Sequence, residues 1–114
     1  MTIQRIRPEP RMSDIVIHNG TVYYTSVPEN LDANAKDQTA ETLAIIDAAL
    51  EEVGSHKSKI LDATLFLVDG NDFQAMNEAW DAWVSPGNAP VRCTVQAKLM
   101  NPRYKIEIKI IAAL

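Results

Sequence analysis

Asn19-Gly20 stands between two runs rich in β-branched and aromatic residues, Ile15-Val16-Ile17 before it and Val22-Tyr23-Tyr24-Thr25 after it. Both residues of such a dipeptide tolerate positive φ, so the pair closes a two-residue turn and the flanking runs predict an antiparallel hairpin. A chain of 114 residues has room for one compact domain, spanning residues 1–114, and not for a second core. Everything else must therefore pack on or beside this hairpin.

The remaining elements follow from periodicity. Thr2 to Ile6 predicts a short strand stopped by Pro8 and Pro10, which lack the N–H that a ladder needs. Pro28 to Asn34 is a loop, with Asp32 or Asn34 placed to cap a helix. Thr39, Leu43, Ile46, Leu50 and Val53 then recur at helical spacing up to Gly54. Ile60 to Val68 reads as a strand with Leu61, Ala63, Leu65 and Leu67 on its apolar face. Asp69-Gly70-Asn71 turns the chain into a second helix with a Phe73, Met76, Trp80 and Trp83 stripe, ending before Ser85-Pro86-Gly87. Val91–Lys98 and Tyr104–Ala112 are the closing strands, joined through Asn101-Pro102.

The order β-β-β-α-β-α-β-β predicts an α+β fold, a sheet of about six strands with two helices packed on one face. Two helices leave the other face uncovered. The alternations put Val16, Tyr23, Thr64, Phe66, Arg92, Thr94 and Glu107 there, a broad semi-polar patch of the kind that meets another subunit or a ligand, so an oligomer is expected.

Composition narrows the function. Hydrophobic residues make up 46% and charged ones 23%, ordinary globular usage that disfavours a disordered or fibrous chain. The net charge of −4 and the lack of a Lys/Arg cluster disfavour a nucleic-acid partner. No secretory h-region or long apolar run is present and Cys93 is the single cysteine, which together predict a reduced, cytoplasmic setting without a membrane partner. His18 and His56 are solitary, and Asp69 to Asp72 lacks the ligand series of a calcium loop, so no metal is expected. No Gly-rich phosphate loop or nucleophile elbow occurs.

Arg92 and Glu107 attract attention because each interrupts an apolar strand. If the last two strands form a hairpin, matching Val91/Cys93/Val95 to Ile106/Ile108/Ile110 brings Arg92 opposite Glu107 or one diagonal step away, both on the non-core side. A guanidinium there would grip a small carboxylate through two parallel hydrogen bonds, with a carboxylate nearby to hold water. The competing reading is a surface ion pair worth about 0–1 kcal/mol. Cys93, on the core parity, reads as an inert buried thiol.

The string Ala-Pro-Val-Arg-Cys-Thr-Val around Arg92, followed by Leu99, Pro102 and Tyr-Lys-Ile-Glu-Ile, resembles the closing signature of the reactive intermediate deaminase A family, RidA, also called YjgF or RutC. Asn71-Asp72-Phe73, Met76-Asn77 and Ala79-Trp80 resemble that family's second helix start, and residues 39–68 its first helix and following strand. The resemblance implies a chorismate-mutase-like, RidA-like domain and a homotrimer whose sheets form a central barrel with clefts between subunits. It implies cofactor-free hydrolysis of enamines and imines such as 2-aminoacrylate to 2-oxo acids and ammonia. By motif position, Arg92 would bind the substrate carboxylate and Glu107 would orient water. Thr94, Thr25 and Cys93 would complete the substrate-binding set.

Two stretches depart from the family pattern. Arg11-Met12-Ser13 replaces Gly-Pro-Tyr, removing an aromatic wall, and Thr25-Ser26-Val27 replaces Ser-Gly-Gln, removing a glycine near the ligand. These changes keep two rival functions open: a binding protein that captures small carboxylates without turnover, and the endoribonuclease or translation inhibitor of the family's historical label. The acidic charge argues against the latter.

Overall fold

The computed structural model describes residues 2–114. Strands β1 (Gln4–Pro8), β2 (Ser13–His18) and β3 (Thr21–Ser26) precede helix α1 (Ala35–Glu52). Strand β4 (Ile60–Leu67), helix α2 (Phe73–Trp83) and strands β5 (Val91–Gln96) and β6 (Ile106–Ala113) complete the chain. The six strands form one sheet in the order β1-β2-β3-β6-β4-β5.

Local signals act as their chemistry dictates. Asn19 and Gly20 sit at φ 53° and 72°, closing the β2-β3 hairpin. Of the two cap candidates, Asn34 takes the role, accepting a hydrogen bond from Asp37 N at 2.8 Å, while Asp32 pairs with Arg103. At the other end of α1, Gly54 adopts φ 81° and Ser55 N bonds back to Leu50 O at 2.8 Å. His56 accepts from Ser58 N, capping the short 3-10 turn Lys57–Lys59.

Both helices lie over one face, against a core that includes Leu43, Ile46 and Leu50 of α1, Met76 and Trp80 of α2, and Ala63, Leu65, Ile106, Ile108 and Ile110 of the sheet. Gln38 is fully buried yet satisfied: its side chain accepts from Lys105 N at 2.8 Å and donates to Arg103 O at 3.2 Å. It thereby ties α1 to the segment entering β6. Phe73, the first member of the α2 stripe, is largely exposed and does not join the core.

Three expectations are corrected. The closing strands do not form a hairpin: β5 pairs with β4 in parallel, and β6 inserts between β3 and β4, antiparallel to both. The reason is α2, which supplies the crossover that lets β4 and β5 run side by side in the same direction. Leu61 is not a core residue. A register shift between Ile60 and Asp62 turns Ile60 inward and leaves Leu61 exposed. The first strand runs on through Pro8, which an edge position tolerates.

Arg7 carries a positive φ of 47° immediately before Pro8, an unfavourable conformation for a large side chain. Its guanidinium is held at both ends, by Asp14 at 2.6 Å and Glu52 at 2.7 Å, so it links the β1-β2 arm to the end of α1. The hydrogen bond from Arg7 pulls the Glu52 carboxyl below its ordinary pKa. A depressed carboxylate contributes stability above its unfolded pKa and loses it as pH falls through the folded value. Arg7→Gln should therefore lower the melting temperature at neutral pH, with the gap to wild type closing below about pH 4. Melting curves taken across that range check it, and a gap independent of pH would contradict the assignment.

Candidate functional site

Strand pairing fixes which side chains share a face. Tyr24, Ile110, Ala63 and Arg92 form one row across β3, β6, β4 and β5, and Ser26, Ile108, Leu65 and Thr94 form the next. These rows lie on the helix-covered side, since Ala63, Leu65, Ile108 and Ile110 are core residues. The alternate rows, Thr25-Lys109-Thr64-Cys93 and Glu107-Phe66-Val95, lie on the uncovered side.

The uncovered face thus exists as expected, with Val16, Tyr23, Thr64, Phe66 and Glu107 on it, but Arg92 and Thr94 are not. Cys93 is there instead, exposed rather than buried. Its neighbours Val91 and Val95 are 73% and 39% exposed. The apolar parity of β5, an edge strand, points away from the core, while its inner side carries Arg92 over Trp80 of α2 and Gln96 beside Gly70.

Arg92 is half-buried, with its guanidinium carbon 5.3 Å from the centroid of the Trp80 ring. A cation over an indole face is favoured by roughly 0.5–2 kcal/mol, and a contact of this kind uses none of the fork's hydrogen-bond donors. Among the described residues the ion pairs join Arg7, Lys36 and Arg103 to acids, and none involves Arg92. Two positions along the same face, the Thr94 hydroxyl is buried with no hydrogen-bond partner in the chain. An unpaired guanidinium and an unpaired hydroxyl side by side form a candidate anion site.

Glu107 belongs elsewhere in the protomer. It is paired with Phe66 across β6 and β4, whereas Arg92 is paired with Ala63 across β5 and β4. Two strand spacings and a three-residue offset separate their Cα atoms by roughly 14 Å, and their side chains leave opposite faces. The expected pairing of Arg92 with Glu107 within one chain is therefore wrong, and so is its competing reading as a surface ion pair.

Thr25 and Lys109, cross-strand partners, line a cavity of about 230 Å³ together with Met12, Ser13 and Tyr23. Met12 belongs to the stretch that stands in place of Gly-Pro-Tyr, and Tyr23 supplies an aromatic wall to the cavity from β3. Ser26, which replaces a family glycine, does not narrow this space: its side chain is buried on the other face and donates to Thr42 O at 2.9 Å. Tyr24 also borders the cavity, and burial, followed by the negative charge of Asp14, raises its phenol pKa. Sequence reasoning missed the Trp80 contact and Lys109. The first needs the tertiary placement of α2, and the second was legible as a charge on the open parity of β6.

A six-stranded sheet in this order, covered by two helices on one side, is the architecture of YjgF proteins. A YjgF family member from Neisseria meningitidis matches with a TM-score of 0.95 at 44% identity, over 99% of this chain and 95% of that one. A mycobacterial member of the YjgF/YER057c/UK114 family has the same fold, with a TM-score of 0.87 at 16% identity over 99% of this chain and 100% of that one. The family model described as endoribonuclease L-PSP matches residues 2–114. The RutC family protein YoaB of Escherichia coli K12 is 73% identical over 113 residues, 99% of each chain. A RutC family protein of Haemophilus influenzae is 49% identical over 98% of each. The chain belongs to the RutC, or YjgF, family. None of its described helices is long and apolar enough to cross a membrane.

A buried hydroxyl without a partner costs about 1–3 kcal/mol, so Thr94→Val, close in shape, should stabilise the free chain by about 1 kcal/mol. Chemical denaturation measures this, and a destabilised variant would show that the hydroxyl is paired.

Proposed function

We propose that the protein hydrolyses enamine and imine derivatives of small amino acids to 2-oxo acids and ammonia. The reaction would occur in clefts between copies of the chain, with Arg92 of one copy holding the substrate carboxylate and Glu107 of a second copy directing water. The observation that carries this reading is the half-buried Arg92 guanidinium, lying over Trp80 and lacking an acid partner among the described residues. A planar fork in that state suits bidentate capture of a carboxylate. Membership of the RutC family and the motif positions of Arg92 and Glu107 support the reaction class.

The chemistry balances without a further reactant. Transfer of a proton from nitrogen to the terminal carbon of 2-aminoacrylate through water gives the tautomeric imine, whose C2 is electrophilic. Water adds to C2 as Glu107 accepts its proton, and the C=N electron pair moves to nitrogen. Glu107 passes that proton to the nitrogen, and the resulting carbinolamine collapses as its hydroxyl proton moves to nitrogen and the C–N bond breaks, giving a C=O bond, ammonia and pyruvate. Holding the substrate relative to the water is the protein's main contribution, and an imine needs little further activation.

A second copy is needed because one chain keeps Arg92 and Glu107 on opposite faces. The exposed apolar row of β5 and the uncovered sheet supply the surface it would cover, and we propose a homotrimer. The same separation favours a second reading, in which Arg92 captures small carboxylates without turnover. Ligand-dependent melting with no ammonia release would select that reading.

Two measurements test the proposal. With freshly generated 2-aminoacrylate and pyruvate as the readout, Arg92→Ala should lose about 100-fold in kcat/KM. Arg92→Lys should recover little, since an ammonium lacks the planar fork. Activity of Arg92→Ala equal to wild type would remove Arg92 from the site. Val95→Asp, which puts a charge on the exposed apolar row, should shift sedimentation from trimer to monomer and abolish hydrolysis. A wild-type protein that sediments as a monomer and still hydrolyses the substrate would refute the shared cleft.

A further inference from the structure

Lys109 is a cation whose placement the proposed reaction does not explain. It lies on β6 between Thr25 of β3 and Thr64 of β4, so its cross-strand neighbours on the uncovered face are two neutral hydroxyls. It lines the cavity of about 230 Å³ with Met12, Ser13, Tyr23 and Thr25. The ion pairs among the described residues do not include it, and the one carboxylate bordering the cavity, Asp14, is taken by Arg7. Glu107, on the same face of the same strand, is two residues away, about 7 Å along the strand. An ammonium with no internal acid partner, set among hydroxyls in a concavity beside the proposed water-directing carboxylate, is matched by an anionic group on the ligand.

We infer that Lys109 is a specificity-determining residue that binds a second, distal carboxylate, so that the favoured substrates are dicarboxylic 2-imino acids with four or five carbons. This rests on the deaminase reading for its reaction and on the cavity for its selectivity. With the α-carboxylate on Arg92 and C2 facing the water at Glu107, a side-chain carboxylate would extend along β6 toward Lys109. Thr25 and Thr64 are placed to donate hydroxyl hydrogen bonds to the same group. Monocarboxylic imines leave the ammonium unpaired and forgo that contact.

The test compares kcat/KM for 2-iminosuccinate and for the imine of alanine, each released in situ by an amino-acid oxidase. Wild type should favour the dicarboxylic substrate by about tenfold or more, and Lys109→Met should lower that ratio by about tenfold. Lys109→Arg, which keeps the charge, should retain most of the preference and guards against a folding defect. A ratio that Lys109→Met leaves unchanged, or a wild type with no preference, overturns the inference. If wild type hydrolyses neither imine, the deaminase reading fails, and calorimetric binding of 2-oxoglutarate against 2-oxobutanoate decides the role of Lys109. Tighter binding of the diacid that Lys109→Met erases sustains that role. Equal binding, or binding of neither, rejects it.

Discussion

The sheet holds together through β6. One face of this strand, Ile106, Ile108, Ile110 and Ala112, is fully buried against the helices, and its backbone pairs with β3 on one side and β4 on the other. Without it the chain would be two separate pieces, a three-stranded meander from the first part of the sequence and a βαβ unit of β4, α2 and β5. Neither piece alone gives both sides of α1 a surface to bury against. The fully buried Gln38 reinforces the join, because its amide satisfies backbone groups of the segment leading into β6 from within α1. Pairing elements so far apart in sequence carries a loop-closure entropy that only the completed core offsets.

Much of this was legible in the residues. Asn19-Gly20, the α1 stripe and Gly54 each encode a local geometry that no tertiary contact needs to override. The order of β5 and β6 was not legible in the same way, since two apolar alternating runs joined by a turn suit a hairpin as well as they suit separated strands. The β4-α2-β5 spacing held the answer, for a helix between two strands favours a parallel crossover. Face assignment failed on β5 because apolar alternation marks the core only when that face is the covered one. Val91, Cys93 and Val95 are apolar and outward, and Arg92 and Thr94 are polar and on the inner face. Leu61 was misplaced for a different reason: an irregular step in the ladder turns Ile60 inward in its place while Ala63, Leu65 and Leu67 keep the core face, and no residue type near Ile60 announces that step.

The position of Arg92 changes how the site is understood. A lysine there could not lay a planar cation on Trp80, and an aspartate within reach would have consumed the guanidinium in an internal pair. The chain instead stabilises the charge with a π face, an interaction that leaves the hydrogen-bonding edge open. Glu107, on the far side of the sheet, faces a surface that also displays Phe66, Val95 and Tyr23. Apolar area on one side and an unpaired cation at its edge are the features that the proposed trimer would bring together.

The latch formed by Arg7, Asp14 and Glu52 has a consequence for the cavity wall. Met12 is on the turn that connects β1 to β2, and the outer end of that arm is tied to α1 by exposed charges, beyond the packed Ile6, Ile15 and Ile17. Dissolved ions weaken such a fastening, because the Debye length falls from about 10 Å at 0.1 M to 3 Å at 1 M ionic strength, while they leave the isoleucine-rich interior untouched. Concentrated electrolyte would thus loosen the rim of the cavity well before it threatens the fold, making its mouth tunable by the medium.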